Sequence, residues 1–84
     1  MQHFEFAMPY EVCSRSVSFD IDNGLVCYVQ FEGGCPGNTY GIAMLIEGMP
    51  ATEAVRRLKG ILCGGKRTSC PDQLAKQIEF AIKN

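Results

Sequence analysis

The chain is expected to fold as an α+β domain. A small antiparallel sheet of two or three strands fills the N-terminal half, and about three helices from the C-terminal half cover one of its faces. Three observations predict this. Apolar Val17, Phe19 and Ile21 alternate with polar Ser16, Ser18 and Asp20, the period of two of a half-buried strand. Asp22-Asn23-Gly24 then forms a hairpin signal, because Asn-Gly accepts the positive φ that a tight turn needs. Beyond Asn38 the apolar spacing lengthens to three and four residues, with glycines marking the ends of the segments.

Taken in order, Gln2 to Phe6 alternates weakly and suits an edge strand, interrupted by Pro9. The stretch from Val12 to Asp22 is the second strand, and Leu25 to Glu32, rich in Val, Tyr and Phe, is its return. Asn38 or Thr39 can cap a first helix that places Ile42, Leu45 and Ile46 on one face and ends at Gly48. Thr52 and Glu53 open a second, with Val55 and Leu58 inward and Arg56, Arg57 and Lys59 outward, stopped at Gly60. Ser69 or Cys70 precedes Pro71, a residue favoured in a first helical turn, and Asp72 suits the positive end of the helix dipole. Leu74, Ile78, Ala81 and Ile82 form the apolar stripe of this last helix.

With 84 residues, the chain supports one domain, residues 1–84, and no second core. A domain of this size buries only about two-thirds of its unfolded surface, so a metal or a second subunit would help it materially. Apolar residues at 46% and charged residues at 20% match an ordinary globular mix. The net charge of -1 argues against a general nucleic-acid binder. No run approaches the ~20 apolar residues needed to span a membrane, and residues 1–9 do not resemble a signal peptide. Five cysteines, an odd number, are therefore expected to be reduced thiols in a cytoplasmic protein.

Cys27 lies between Val26 and Tyr28 within a strand, where a thiol acts as a small half-buried hydrophobe. Cys13, Cys35, Cys63 and Cys70 fall at element ends or in loops, and the hairpin and overlying helices can bring them together. Three uses remain open from spacing alone. Four thiolates suit a tetrahedral zinc ion, with Cys13 and Cys35 from the sheet side and Cys63 and Cys70 from the helix side. A Cys35–Cys70 or Cys63–Cys70 pair suits reversible disulfide chemistry, because a thiol at a helix N-terminus is acidified. Thiols beside glycines can also simply fill space. The loops offer a further possibility: Gly33-Gly34 and Gly64-Gly65 each precede a helix start, and Lys66 with Arg67 adds charge for a phosphate or nucleotide. His3 is expected to be a surface polar residue, Glu47 to cap a helix or orient a thiol, and Asp72 to cap its own helix.

Thr68-Ser69-Cys70-Pro71-Asp72 resembles the signature that gives the TSCPD domain its name. The likeness extends through Val12-Cys13-Ser14, Phe31 to Asn38, Gly60 to Gly64 and Asp72 to Ala75, most of the chain between Val12 and Ala75. In its stand-alone, four-cysteine form the family's cysteines correspond to Cys13, Cys35, Cys63 and Cys70, and Cys27 has no counterpart. Similar domains sit at the C-terminus of B12-dependent ribonucleotide reductases, where terminal cysteines relay reducing equivalents or bind metal. The resemblance thus implies an accessory or regulatory role beside ribonucleoside-diphosphate reductase and DNA synthesis. It does not imply reductase activity, since a radical cofactor and a shielded substrate pocket exceed what 84 residues provide. The principal expectation is a zinc-binding accessory or binding module, with a homodimer as a further possible assembly.

Overall fold

A computed structural model describes residues 2–9, 12, 14–33, 36–62, 65 and 67–83. The order of elements is β1 (Gln2–Ala7), β2 (Ser14–Asp22), β3 (Leu25–Gly33), α1 (Pro36–Ile46), α2 (Ala51–Leu58) and α3 (Cys70–Lys83). The strands form one antiparallel sheet with β2 in the centre. This is the expected α+β arrangement.

Asn23 and Gly24 both take positive φ, +53° and +80°, so the β2–β3 hairpin closes on a tight turn whose twist suits the strands. Two irregularities interrupt the β2–β3 ladder. The first, between Ser14 and Ser16, shifts the alternation so that Ser14 is buried together with Val17 and Phe19. The second lies opposite Phe19, where Tyr28 is forced to φ +55°. Its N–H is accepted by Glu47 Oε1 at 2.8 Å. The carboxylate of Glu47 therefore serves a strand rather than a thiol or a helix end.

The inner face of the sheet supplies Val17, Phe19, Val26 and Val29 to the core, where they meet Ala54, Leu74, Ala75 and Ile78. Phe19 is fully buried and stacks with Phe4 and Phe6 at centroid distances of 5.5 and 6.0 Å. Phe80 from α3 meets Phe6 edge-on. Aromatic pairs of this kind add about 0.5–1.5 kcal/mol beyond their buried area.

The helices differ from expectation in detail. α1 begins at Pro36, ahead of Asn38 and Thr39, since proline's fixed φ suits a first turn. Ile46 is buried and Ile42 half-buried, but Leu45 is 78% exposed. The helix turns toward the sheet along Thr39, Ala43 and Ile46, which sets Leu45 on the far side. In α2, Ala51 and Ala54 are buried with Leu58, and Val55 packs at the margin of the core. Ile82 in α3 is 39% exposed, while Leu74, Ala75, Ile78 and Ala81 face inward.

The α1–α2 connection runs along the outer edge of β3. Val26 N–H donates to Met49 C=O, Gly48 N–H to Val26 C=O, and Ala51 N–H to Gly24 C=O, with a bridge between Leu25 and Pro50. Four residues thus act as a short extra rung of the sheet. Among the described residues, no helix is long and apolar enough to cross a membrane.

Candidate functional site

The start of α3 is where chemistry-bearing residues gather. Ser69 precedes the helix, and its Oγ accepts the Asp72 N–H at 3.2 Å, satisfying one of the unpaired donors of the first turn. The same hydroxyl donates to Ile61 C=O. In a capping box the acidic residue at Asp72 would turn back to the cap N–H. Here it reaches outward instead. One carboxylate oxygen accepts the Gly60 N–H at 2.8 Å, and the other accepts the Thr68 hydroxyl at 2.6 Å and Lys76 Nζ at 3.2 Å. Gln73 Nε2 donates to Thr68 Oγ1 at 2.8 Å.

Asp72 is only 2% exposed. Burial alone would push its carboxyl up. Hydrogen bonds from Thr68 and the Gly60 N–H, with the Lys76 ammonium, outweigh burial and hold it below its ordinary value. Asp72 is therefore not the helix cap expected of it, a role that Ser69 fills, but a buried acceptor that ties Gly60 and Thr68 to α3. Thr68, Ser69 and Asp72 clasp both ends of the segment between Gly60 and Thr68 onto the first turn of α3. The signal for this was in the sequence, where a threonine stands four residues before an aspartate that is itself flanked by the cap, but its partner at Gly60 lies eight residues upstream of that threonine.

Cys70, the first residue of α3, is half-buried, and its Sγ lies 3.1 Å from Ser14 Oγ. Ser14 is 2% exposed at the first position of β2, directed inward by the bulge that follows it. Its Cα partner across the sheet is Gly33, the last residue of β3, at φ +79°. Gly33, Ser14, Cys70, Ser69 and Ile61 thus form a connected chain of neighbours drawn from four separate segments.

Cys13, Cys35 and Cys63 lie outside the described residues, as do Gly34, Gly64 and Lys66 of the expected anion loops. Gly65 and Arg67 are exposed in the segment preceding α3. Among the described residues, no group of three or more His, Cys, Asp or Glu side chains could hold a metal ion. The described thiols, Cys27 and Cys70, are both free. Cys27 is half-buried in β3 as expected, and its thiol is pushed up by burial and by the nearby carboxylates of Glu47, Asp22 and Asp20. Such a thiol is a poor nucleophile at neutral pH. His3 is exposed and pairs with Asp20 at 2.6 Å across β1 and β2, a surface contact.

Fold and site together define a small α+β domain built around a clasped, cysteine-bearing helix start. The family model of the TSCPD domain matches residues 2–82, and the chain belongs to that family. No curated protein and no solved structure matches the chain significantly.

Proposed function

We propose that the chain is a cysteine-site accessory or binding module in which Cys13, Cys35, Cys63 and Cys70 hold a structural zinc ion. The contact between Cys70 Sγ and Ser14 Oγ carries this reading. Consecutive Cα atoms are ~3.8 Å apart, so Cys13 is tethered one residue from Ser14. Cys35 is two residues beyond Gly33, the partner of Ser14. Cys63 is two residues beyond Ile61, whose carbonyl is held by the residue preceding Cys70. Each undescribed cysteine is therefore within one or two residues of an anchor, and the anchors touch one another. Four thiolates are a closed donor set that suits a structural rather than a catalytic zinc ion. Bound there, zinc would cross-link the sheet to the helices of a domain whose core is small.

Protein purified under reducing conditions should carry about one zinc per chain. Removing it with a chelator should lower the melting temperature and release four titratable thiols together. Less than about a tenth of an equivalent of zinc in a cooperatively folded sample would defeat the proposal.

A second reading draws on the setting of Cys70. Its thiol is on the first residue of α3, half-buried, with the Ser14 hydroxyl 3.1 Å away and the segment that carries Cys63 fastened beside it through Ser69 and Ile61. This supports a redox accessory to ribonucleoside-diphosphate reduction, in which the Cys70 and Cys63 thiols pass two electrons and two protons to the oxidised reductase as their disulfide closes, and a dithiol reductant reopens it. A Cys70 that alkylates well below pH 8 in metal-free protein favours it, and a thiol as slow as Cys27 rules it out.

A further inference from the structure

The helix α1 has an outer face unlike those of the other described helices. α2 exposes Arg56 and Arg57 beside Glu53, and α3 exposes Lys76, which reaches Asp72, and Lys83 beside Glu79. α1, with the sequence PGNTYGIAMLI, contains no charged residue. Its buried side is already defined by Thr39, Ala43 and Ile46, so its apolar character is not explained by packing within the domain. Facing away from the core, Tyr40 is 67% exposed, Met44 53% and Leu45 78%.

The relief of this face matters as much as its composition. Gly37 and Gly41 are one turn apart, and a Cβ built on either meets nothing within 4 Å. They form a shallow groove along the helix. Tyr40 and Met44, also one turn apart, form a ridge on one side of it, and Leu45 stands on the other. Ridge and groove therefore lie on the same surface. A two-fold interface requires a patch that is complementary to itself, and this patch is.

We infer that α1 is a homodimer interface, and that its occupant is α1 of a second copy crossing antiparallel. The Tyr40–Met44 ridge of each chain enters the Gly37–Gly41 groove of the other, with the same contacts made twice. The absence of charge within α1 favours an identical partner, because ridge and groove bring no ion against each other, and the nearest carboxylate, Glu47, is engaged by the Tyr28 N–H. Tyr40, Met44 and Leu45 present on the order of 400 Å² of apolar surface, about half of what each partner buries in a standard interface. The glycine backbone between them extends it. A patch of this size belongs to the weak, concentration-dependent class of association.

Sedimentation equilibrium of the full chain, in reducing buffer from about 1 µM to about 1 mM, tests this. Dimer is expected within that range. Gly41→Leu fills space that is open in the monomer and improves helix propensity, so the domain stays folded while the groove closes. Met44→Glu places a charge in the ridge. Each should raise the dimer dissociation constant at least about tenfold, with circular dichroism showing native folding. A chain that stays monomeric to the upper limit overturns the inference, leaving the face to a different protein. Dimers undiminished in both folded variants overturn it as well, placing the interface elsewhere, such as the β1 edge.

Discussion

Removing the Asp72 carboxylate should loosen the start of α3 more than any other single polar change. In Asp72→Ala, the Thr68 hydroxyl and the Gly60 N–H lose their acceptor. Hydrogen bonds to a charged group are each worth about 1.5–3 kcal/mol. Gly60 is exposed and regains water, and Lys76 turns to solvent, so the lower part of that range applies, giving a loss of about 3 kcal/mol. In a chain of this length about 1 kcal/mol corresponds to roughly 4–8 °C, which places the fall in melting temperature at roughly 12–24 °C. Asp72→Asn keeps one acceptor for Gly60 and can donate to Thr68, so it should fall between the wild type and the alanine variant. The sign of the pH dependence follows from the lowered carboxyl. Its stabilisation is present above the unfolded-state value near ~4 and is lost as pH falls through the still lower folded-state value. Thermal unfolding followed by circular dichroism between pH 2 and about 7 reads both effects, and both variants should flatten the acid limb. An alanine variant melting within about 2 °C of wild type would refute the clasp.

Tyr28→Gly should raise stability by about 1 kcal/mol, read as a higher urea midpoint, because glycine takes φ +55° without a Cβ penalty, and Tyr28→Val should lower it. Ser69→Ala removes a helix cap and the donor to Ile61, at about 1 kcal/mol or somewhat more by the same measurement. Cys70→Ser preserves an oxygen to meet Ser14, so metal-free protein should change by less than about 1 kcal/mol, whereas zinc content should fall sharply under the proposed function. Glu53 is held at about 2 by hydrogen bonds from Arg56 and Arg57. Its contribution is present above the ordinary carboxylate value and disappears as pH falls through about 2. Because the group is exposed, salt should weaken that contribution, visible as a smaller difference between wild type and Glu53→Gln at high ionic strength.

The fold was readable wherever one period ruled a segment. The alternation of Val17, Phe19 and Ile21 and the Asn23-Gly24 turn settled the hairpin, and Leu74 with Ile78 settled α3. Readings failed where a local rule met a long-range one. Leu45 matches a helical stripe with Ile42, but α1 docks through Thr39 and Ala43, small residues that hydrophobic pattern underweights. The bulges that bury Ser14 and strain Tyr28 have no periodic signature, since an extra residue in a ladder is set by pairing across strands. At the site, the cap at Ser69 was legible from Ser-Cys-Pro-Asp. The reach of Asp72 to Gly60 was not, because it depends on where α2 ends relative to α3 in space.

The rung formed by Gly48, Met49, Pro50 and Ala51 along β3 makes the two sides of the sheet unequal. Backbone groups that would otherwise invite another chain are occupied there, and Pro50 offers no donor to replace them. The hairpin end of β3 is thereby closed to strand addition, and β1 is the edge where aggregation-suppressing changes should be placed first. The same rung fastens a connector between two helices to the hairpin, so the two halves of the molecule should unfold as one cooperative unit.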